Sequence, residues 1–277
     1  MRIAYLGPAG TFTEDALREA AGGRDFEPLR TATVHDAILA VEGGEAERAL
    51  VPFENSIEGS VRTTLDTLAF DAAGVTIVGE HDFAVRAMLI SREPLELGAI
   101  EAVLSHPQPL AQCARFLREQ LPGAERRSVA STAEAVRLVS ESSEPLAAIG
   151  AHAAADLYGC TILREGVEDE ANNVTRFVWI APAGTEPQGG GEWKTSLVFS
   201  ELGEDHPGAL VDALREFSSR GVNLSRIESR PLRQGLGRYM FFCDLEGALA
   251  DEPVSGAIDA LRQKAESVRV LGSYPVA

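Results

Sequence analysis

The stretch RIAYLGPAGTFTEDALREAA, residues 2–21, decides how the chain is read. Residues 2–6 form an apolar strand pattern, 7–10 a turn of Gly, Pro and Ala, and 13–21 a helical pattern. Strand, tight turn and helix in that order begin an α/β unit. Outward from it the alternation continues. Residues 34–41 read as a helix, 49–53 as a strand and 61–70 as a helix. Residues 102–104, 127–129 and 146–149 read as strands, each followed by a helix, over 110–121, 133–139 and 151–157. A β-rich stretch over 75–90 interrupts this order, and 161–163 and 174–180 read as returning strands. The expectation is an α/β domain of two lobes joined by crossing strands, with a ligand cleft between them.

Residues 181–192 (APAGTEPQGGGE) lack an apolar period and read as a linker. Beyond it, 195–202, 209–218, 222–231, 238–245, 254–265 and 268–271 give a β-α-β-β-α-β order, the ferredoxin-like arrangement.

The net charge is -17, most of it carried before residue 194, which disfavours nucleic acid and anionic membranes as partners. An anionic ligand would therefore need donors supplied locally. Cys113, Cys160 and Cys243 have neither metal-ligand nor disulfide-framework spacing and read as reduced thiols. No run approaches the ~20 apolar residues that span a bilayer. The chain opens directly in a strand pattern without a signal peptide, so a cytoplasmic location is expected. The five histidines are scattered, and no metal site is expected.

Four segments could carry chemistry. Gly7-Pro8-Ala9-Gly10-Thr11-Phe12 joins a strand to a helix, where free N–H groups attract anions, though its spacing is that of neither a P-loop nor a dinucleotide site. Val51-Pro52-Phe53-Glu54-Asn55-Ser56-Ile57-Glu58-Gly59-Ser60 crowds polar groups at a strand end, and its Asn and Ser can bind a carboxylate or hydroxyl without adding charge. Ser105-His106-Pro107-Gln108 is followed by Gln112, which shares a helix face with Gln108. Asn172-Asn173-Val174-Thr175-Arg176-Phe177 opens an apolar strand, in which Thr175 and Phe177 share one face and Arg176 takes the other. Each alone is also compatible with plain structure: a turn capped by Thr11 or Thr13, a solvated loop with Ser60 capping the next helix, a junction histidine that caps or packs, and a half-buried strand threonine.

In this order, GPAGTFTEDAL, VPFENSIEGSV, SHPQPLAQC and NVTRFVWI resemble the successive signatures of the prephenate dehydratase family. His206-Pro207-Gly208-Ala209-Leu210-Val211 and Ile227-Glu228-Ser229-Arg230-Pro231 resemble the phenylalanine-binding motifs of the ACT domain appended to that enzyme. The resemblance implies a catalytic domain over 1–182, similar to type II periplasmic binding proteins, with lobes of 1–78 plus 161–182 and of 79–160. It also implies a linker over 183–193 and an ACT regulatory domain over 194–277. The implied reaction is decarboxylating dehydration of prephenate to phenylpyruvate, without metal or other cofactor, inhibited by L-phenylalanine. Arogenate dehydration is the alternative, and a non-catalytic amino-acid binder of the same fold a more remote one. By resemblance Thr175, Ser105, Asn55 and Gln112 are catalytic, and Thr11, Ser56, Glu54, Gly59, Arg176 and Phe177 bind substrate. Gly208, Ala209, Leu210, Val211, Glu228, Ser229, Arg230 and Pro231 would bind phenylalanine, and a homodimer or homotetramer is implied.

Overall fold

A computed structural model describes residues 1–202 and 207–277; His206 of the expected regulatory motif lies outside the described residues. In chain order, β1 (Arg2–Leu6), α1 (Phe12–Ala21), β2 (Glu27–Thr31), α2 (Val34–Glu42), β3 (Arg48–Asn55), β4 (Gly59–Ser60), α3 (Arg62–Phe70) and β5 (Val75–Ala84) come first. Then follow β6 (Met88–Ser91), β7 (Ala102–Ser105), α4 (Pro107–Gln112), α5 (Ala114–Gln120), β8 (Glu125–Ser128), α6 (Thr132–Glu141), β9 (Leu146–Gly150), α7 (His152–Tyr158), β10 (Thr161–Glu165) and β11 (Val174–Pro182). The last elements are β12 (Trp193–Ser200), α8 (Ala209–Ser218), β13 (Leu224–Pro231), β14 (Tyr239–Glu246), α9 (Glu252–Leu261) and β15 (Ser267–Pro275). The sheets run β2-β1-β3-β11-β5 with β4 beside β3, β10-β6-β9-β7-β8, and β13-β14-β12-β15. The last is antiparallel throughout, and its chain order is the expected ferredoxin-like one.

The chain forms two compact units. The first comprises Met1–Ala37, Leu50–Gly59 and Asp82–Phe177. In it, β7 (AVLS) and β9 (LAAIG) are buried at every position and pair in parallel. Strands buried on both faces need apolar partners on each side. Val103, Ile149 and Leu117 pack in one cluster, and Leu104, Ala148, Val136 and Val139 in another. Helix α6 starts at Ser131, whose hydroxyl accepts the Glu134 N–H at 3.0 Å. Residues 110–121, expected as one helix, break at Cys113 into α4 and α5. The cause lies far along the chain: the Asp169 carboxylate accepts the Arg115 N–H at 2.8 Å and the Phe116 N–H at 3.1 Å, giving α5 a capped start of its own. Thr11 takes the N-cap position of α1 with extended backbone, yet its side chain makes no capping bond.

The second unit comprises Ile38–Ala49, Ser60–His81 and Val178–Ala277. Helices α8 and α9 bury Ala213, Phe217, Val254, Ile258 and Leu261 with Leu197, Phe199, Cys243 and Leu245 of the third sheet. Residues of 60–81 are bonded to the same sheet. Arg230 makes a forked contact with Asp66 (Nε–Oδ1 3.1 Å, Nη2–Oδ2 2.8 Å), and Arg233 Nη2 joins at 2.9 Å. Arg269 donates to the Leu68 carbonyl at 2.6 Å and the Ala72 carbonyl at 2.7 Å, where α3 leaves carbonyls unpaired. Ser60, one candidate cap for α3, instead accepts from Arg226 at 2.7 Å, and Val61 takes the cap position. At Gly272 a Cβ would collide with the Ile77 carbonyl oxygen, so the backbones approach as only glycine allows.

Candidate active site

The first unit holds a cavity of about 310 Å³. The turn after β1 and the start of α1 contribute Gly7, Pro8, Thr11, Phe12 and Thr13. The ends of β3 and β11 contribute Asn55, Asn173, Thr175 and Phe177. The second sheet contributes His106 and Gln108 from the start of α4 and Gln112 from its last turn, and Ala130, Ser131 and Thr132 before and within α6.

Asn55 organises the polar corner. Its Oδ1 accepts the N–H groups of Ile57 and Glu58, each at 2.9 Å. Backbone N–H groups can only donate, so this fixes which end of the amide faces which way. Nδ2 must then be the atom aimed at β11, donating to Asn173 Oδ1 at 2.7 Å and Thr175 Oγ1 at 2.9 Å. That donation uses a lone pair of Thr175, and among the described residues no protein acceptor takes its hydroxyl proton. Thr175 therefore keeps a hydrogen to give to a ligand.

Gln112 is a second ready donor: its Nε2 is buried and, among the described residues, has no hydrogen-bond partner. A buried amide left unpaired costs about 1–3 kcal/mol, which a ligand acceptor would recover. His106 takes the N-cap position of α4, with Nδ1 facing the Gln108 N–H at 3.3 Å, and so serves as a cap. Thr11 Oγ1 lies 3.5 Å from the Leu6 carbonyl, at the limit of a hydrogen bond. The lining thus offers hydroxyls and amides rather than charges, and Phe177 and Pro52 supply apolar surface.

Five of the residues expected at the site line this cavity: Thr11, Asn55, Gln112, Thr175 and Phe177. The others stand elsewhere. Ser105 is fully buried, and its hydroxyl donates to the Ile149 carbonyl at 2.7 Å, tying β7 to β9. Ser56 Oγ donates to the Asn172 carbonyl at 2.8 Å and accepts the Val174 N–H at 3.0 Å, so it joins loop to strand. Arg176 bonds Glu54 at 3.0 Å and lies over the Phe53 ring, with 4.9 Å to its centroid, on the face opposite Thr175. Gly59 is exposed, with φ +80. Asn173, Ser131 and Thr132 also line the cavity and are not among the site residues that the sequence motifs imply. Ser131-Thr132-Ala133-Glu134 is a capping-box pattern, readable as a helix start but carrying no ligand signal.

An open depression of about 640 Å³ shares Gln108, Gln112 and Asn173 with the cavity and carries Glu58, Glu168, Asp169 and Glu170. It is the larger space, but it lacks Asn55 and Thr175, so the smaller cavity is the chemical candidate.

In the second unit, Gly208 (φ +101) precedes α8, Leu210 turns into the core and Val211 is exposed. On β13, Glu228 and Arg230 are half-buried while Ser229 and Pro231 are exposed, and the Arg230 guanidinium is held by Asp66.

The family pattern described as "Prephenate dehydratase" matches residues 3–185. The chain belongs to the prephenate dehydratase family. The ACT domain pattern matches residues 201–263. The prephenate dehydratase of Mycobacterium marinum is 42% identical, across 99% of this chain and 88% of that protein. The crystal structure of prephenate dehydratase from Arthrobacter aurescens in complex with L-Phe superposes with a TM-score of 0.89 at 39% identity, covering 99% of this chain and 89% of that one. A structure described as GqqA, a novel type of quorum quenching acylase, also reaches 0.89, at 33% identity over 100% of this chain and 98% of that one. As a member of the prephenate dehydratase family the chain is an enzyme, a lyase with an appended ACT domain. Among the described residues, no helix is long and apolar enough to cross a membrane.

Proposed function

We propose that the enzyme converts prephenate to phenylpyruvate, carbon dioxide and water in the cavity around Thr175. The bond to the ring carboxylate breaks, its electron pair enters the ring, and the ring hydroxyl leaves, taking up a proton to become water. Aromatisation supplies the driving force, so the site has to orient the substrate and stabilise the departing hydroxide. The observation that carries this reading is the Asn55–Thr175 pair, in which Asn55 occupies an acceptor position of Thr175 and leaves the hydroxyl proton for the leaving group. Gln112 would hold a substrate carboxylate oxygen, a role supported by its unpaired Nε2 in the cavity lining. Ser105 would act at one remove, by holding β7 against β9.

Within this proposal, residues 1–182 form the catalytic domain and 194–277 the regulatory one, in a homodimer or homotetramer. L-phenylalanine binds at the start of α8 and on β13 and lowers turnover by favouring a less active arrangement. The Arthrobacter aurescens relative in complex with L-Phe supports this. Purified full chain given prephenate should generate the enol absorbance of phenylpyruvate in alkali, and L-phenylalanine should reduce the rate. No absorbance from a folded sample would sink the reaction; turnover of arogenate but not prephenate would move the substrate to its transaminated relative.

The GqqA likeness favours a second reading, amide hydrolysis of an acylated substrate. Acyl transfer needs a nucleophile next to a base. Among the described residues, no hydroxyl of the cavity is hydrogen-bonded to a histidine or a carboxylate, which favours the lyase. Release of a free amine from an N-acylated amine, at a rate comparable to phenylpyruvate formation, would reverse that order.

A further inference from the structure

Asp15 has no place in the chemistry above, yet it is half-buried on α1 beside the cavity. Its Oδ1 accepts the Ala153 N–H at 3.0 Å from 138 residues away, and the His152 N–H points to the same carboxylate. These are the first N–H groups of α7, whose own N-cap residue is Ala151, with no side chain able to cap. Asp15 thus does for α7 what a serine or aspartate at the cap position ordinarily does. Next to this bond the chain leaves no slack. Gly10 has φ +77, and a Cβ on it would come within 3.0 Å of Ala154 Cα; Ala153, Ala154 and Ala155 are all buried.

Helix α1 and the turn before it follow β1 of the first sheet and supply Gly7, Pro8, Thr11, Phe12 and Thr13 to the cavity. Helix α7 follows β9 of the second sheet, and β9 pairs with β7, which leads into His106 and Gln108. The Asp15 bond therefore ties the sheet carrying one wall to the sheet carrying the other. We propose that Asp15 is a positioning residue, a remote cap that holds the two walls at the spacing in which both can grip substrate at once. This rests on the cavity being the active site.

Without the cap, the closed arrangement loses charge-assisted bonds from two N–H groups, enough to shift its population ~10- to 100-fold. Binding that requires the closed arrangement weakens in proportion to its population, while bound substrate still draws the walls together. Asp15→Ala should therefore raise KM for prephenate ~10- to 100-fold and leave kcat within a few-fold. Asp15→Asn keeps an oxygen for the Ala153 N–H and should restore KM to within a few-fold of the parent. A purely structural role would lower the melting temperature and leave KM per folded molecule alone. If the alanine variant does not fold, Asp15→Ser, whose oxygen falls short of α7, takes its place under the same criterion. KM unchanged in a folded Ala or Ser variant, or an Asn variant no better than Ala, overturns the proposal. A parent that does not turn over prephenate defeats the function reading instead. Asp15 is then judged by hydrogen exchange, which should quicken in both residues 7–11 and 106–112 of the Asp15→Ala variant and refutes the proposal if it does not.

Discussion

Replacing Thr175 by valine keeps the branched shape and removes the one hydroxyl whose proton is left free by Asn55. Two consequences can be separated by size. For folding, Asn55 Nδ2 loses one acceptor but retains Asn173 Oδ1 at 2.7 Å and the Val174 carbonyl at 3.3 Å. No buried donor is orphaned, so the stability change should stay below about 1 kcal/mol. For catalysis, a donor aimed at developing negative charge is removed, and such losses cost ~10²–10³ in rate, about 2.7–4 kcal/mol. The assay is phenylpyruvate formation at saturating prephenate, alongside a melting curve of the same sample. Thr175→Val should lose ~10²–10³ in kcat with an almost unchanged melt, and Thr175→Ser should recover most of the rate. A valine variant within tenfold of the parent would remove the hydroxyl from the mechanism. A serine variant as slow as valine would show that the methyl group, through packing, is what matters.

Gln112→Ala should raise KM ~10-fold or more with no loss of thermal stability, because the amide has no protein bond to lose; a KM within twofold would place the substrate carboxylates elsewhere. Asp66→Ala leaves Arg230 and Arg233 without their shared carboxylate and should lower stability by about 1–3 kcal/mol in urea titrations, between surface and buried ion-pair behaviour. Burial works to raise the pKa of Asp66, but the bonds from Arg230 and Arg233 outweigh it and hold it below the ordinary aspartate value. Its contribution is therefore full above about pH 4 and is lost as pH falls towards the depressed value, and Asp66→Asn should flatten that part of the acid-stability curve. Gly272→Ala should destabilise by about 1–3 kcal/mol or more, since its Cβ meets backbone at Ile77; an unshifted melt would contradict the close approach. Turnover should survive exhaustive chelation, since the cavity offers hydroxyls and amides and the described residues hold no metal-binding cluster; loss on chelation, restored by a divalent ion, would oppose this.

What the sequence revealed and what it hid follow from the range of the forces involved. Alternation along β11 put Thr175 and Phe177 on one face and Arg176 on the other, and these residues stand so, because strand geometry is local. The position of Ser105 was not legible in that way. Strand β7 is buried on both faces, so period and hydrophobicity cannot say which face meets a cavity. The insertion of β11 between β3 and β5, and the antiparallel pairing of β6 with β9, are long-range choices with no periodic trace. Asp66, Arg230 and Arg269 look in sequence like solvated charges, and only the packing of 60–81 on the third sheet makes partners of them.

Remote capping accounts for much of the rest. Asp169 starts α5 from 54 residues away and Asp15 starts α7 from 138 away, whereas the local candidates Thr11 and Ser60 cap nothing with their side chains. A local cap stabilises a helix wherever that helix goes; a remote cap stabilises it only while two parts of the chain are in register. Both remote caps here lie in the unit that carries the cavity, and the segments near them, 7–13 and 106–112, line it together with Asn55, Asn173 and Thr175. The geometry of the site is thus fixed by bonds that exist only in the assembled fold. That suits a lining whose donors are neutral: hydroxyls and amides hold an anion by direction more than by charge, and direction has to be built in before the substrate arrives.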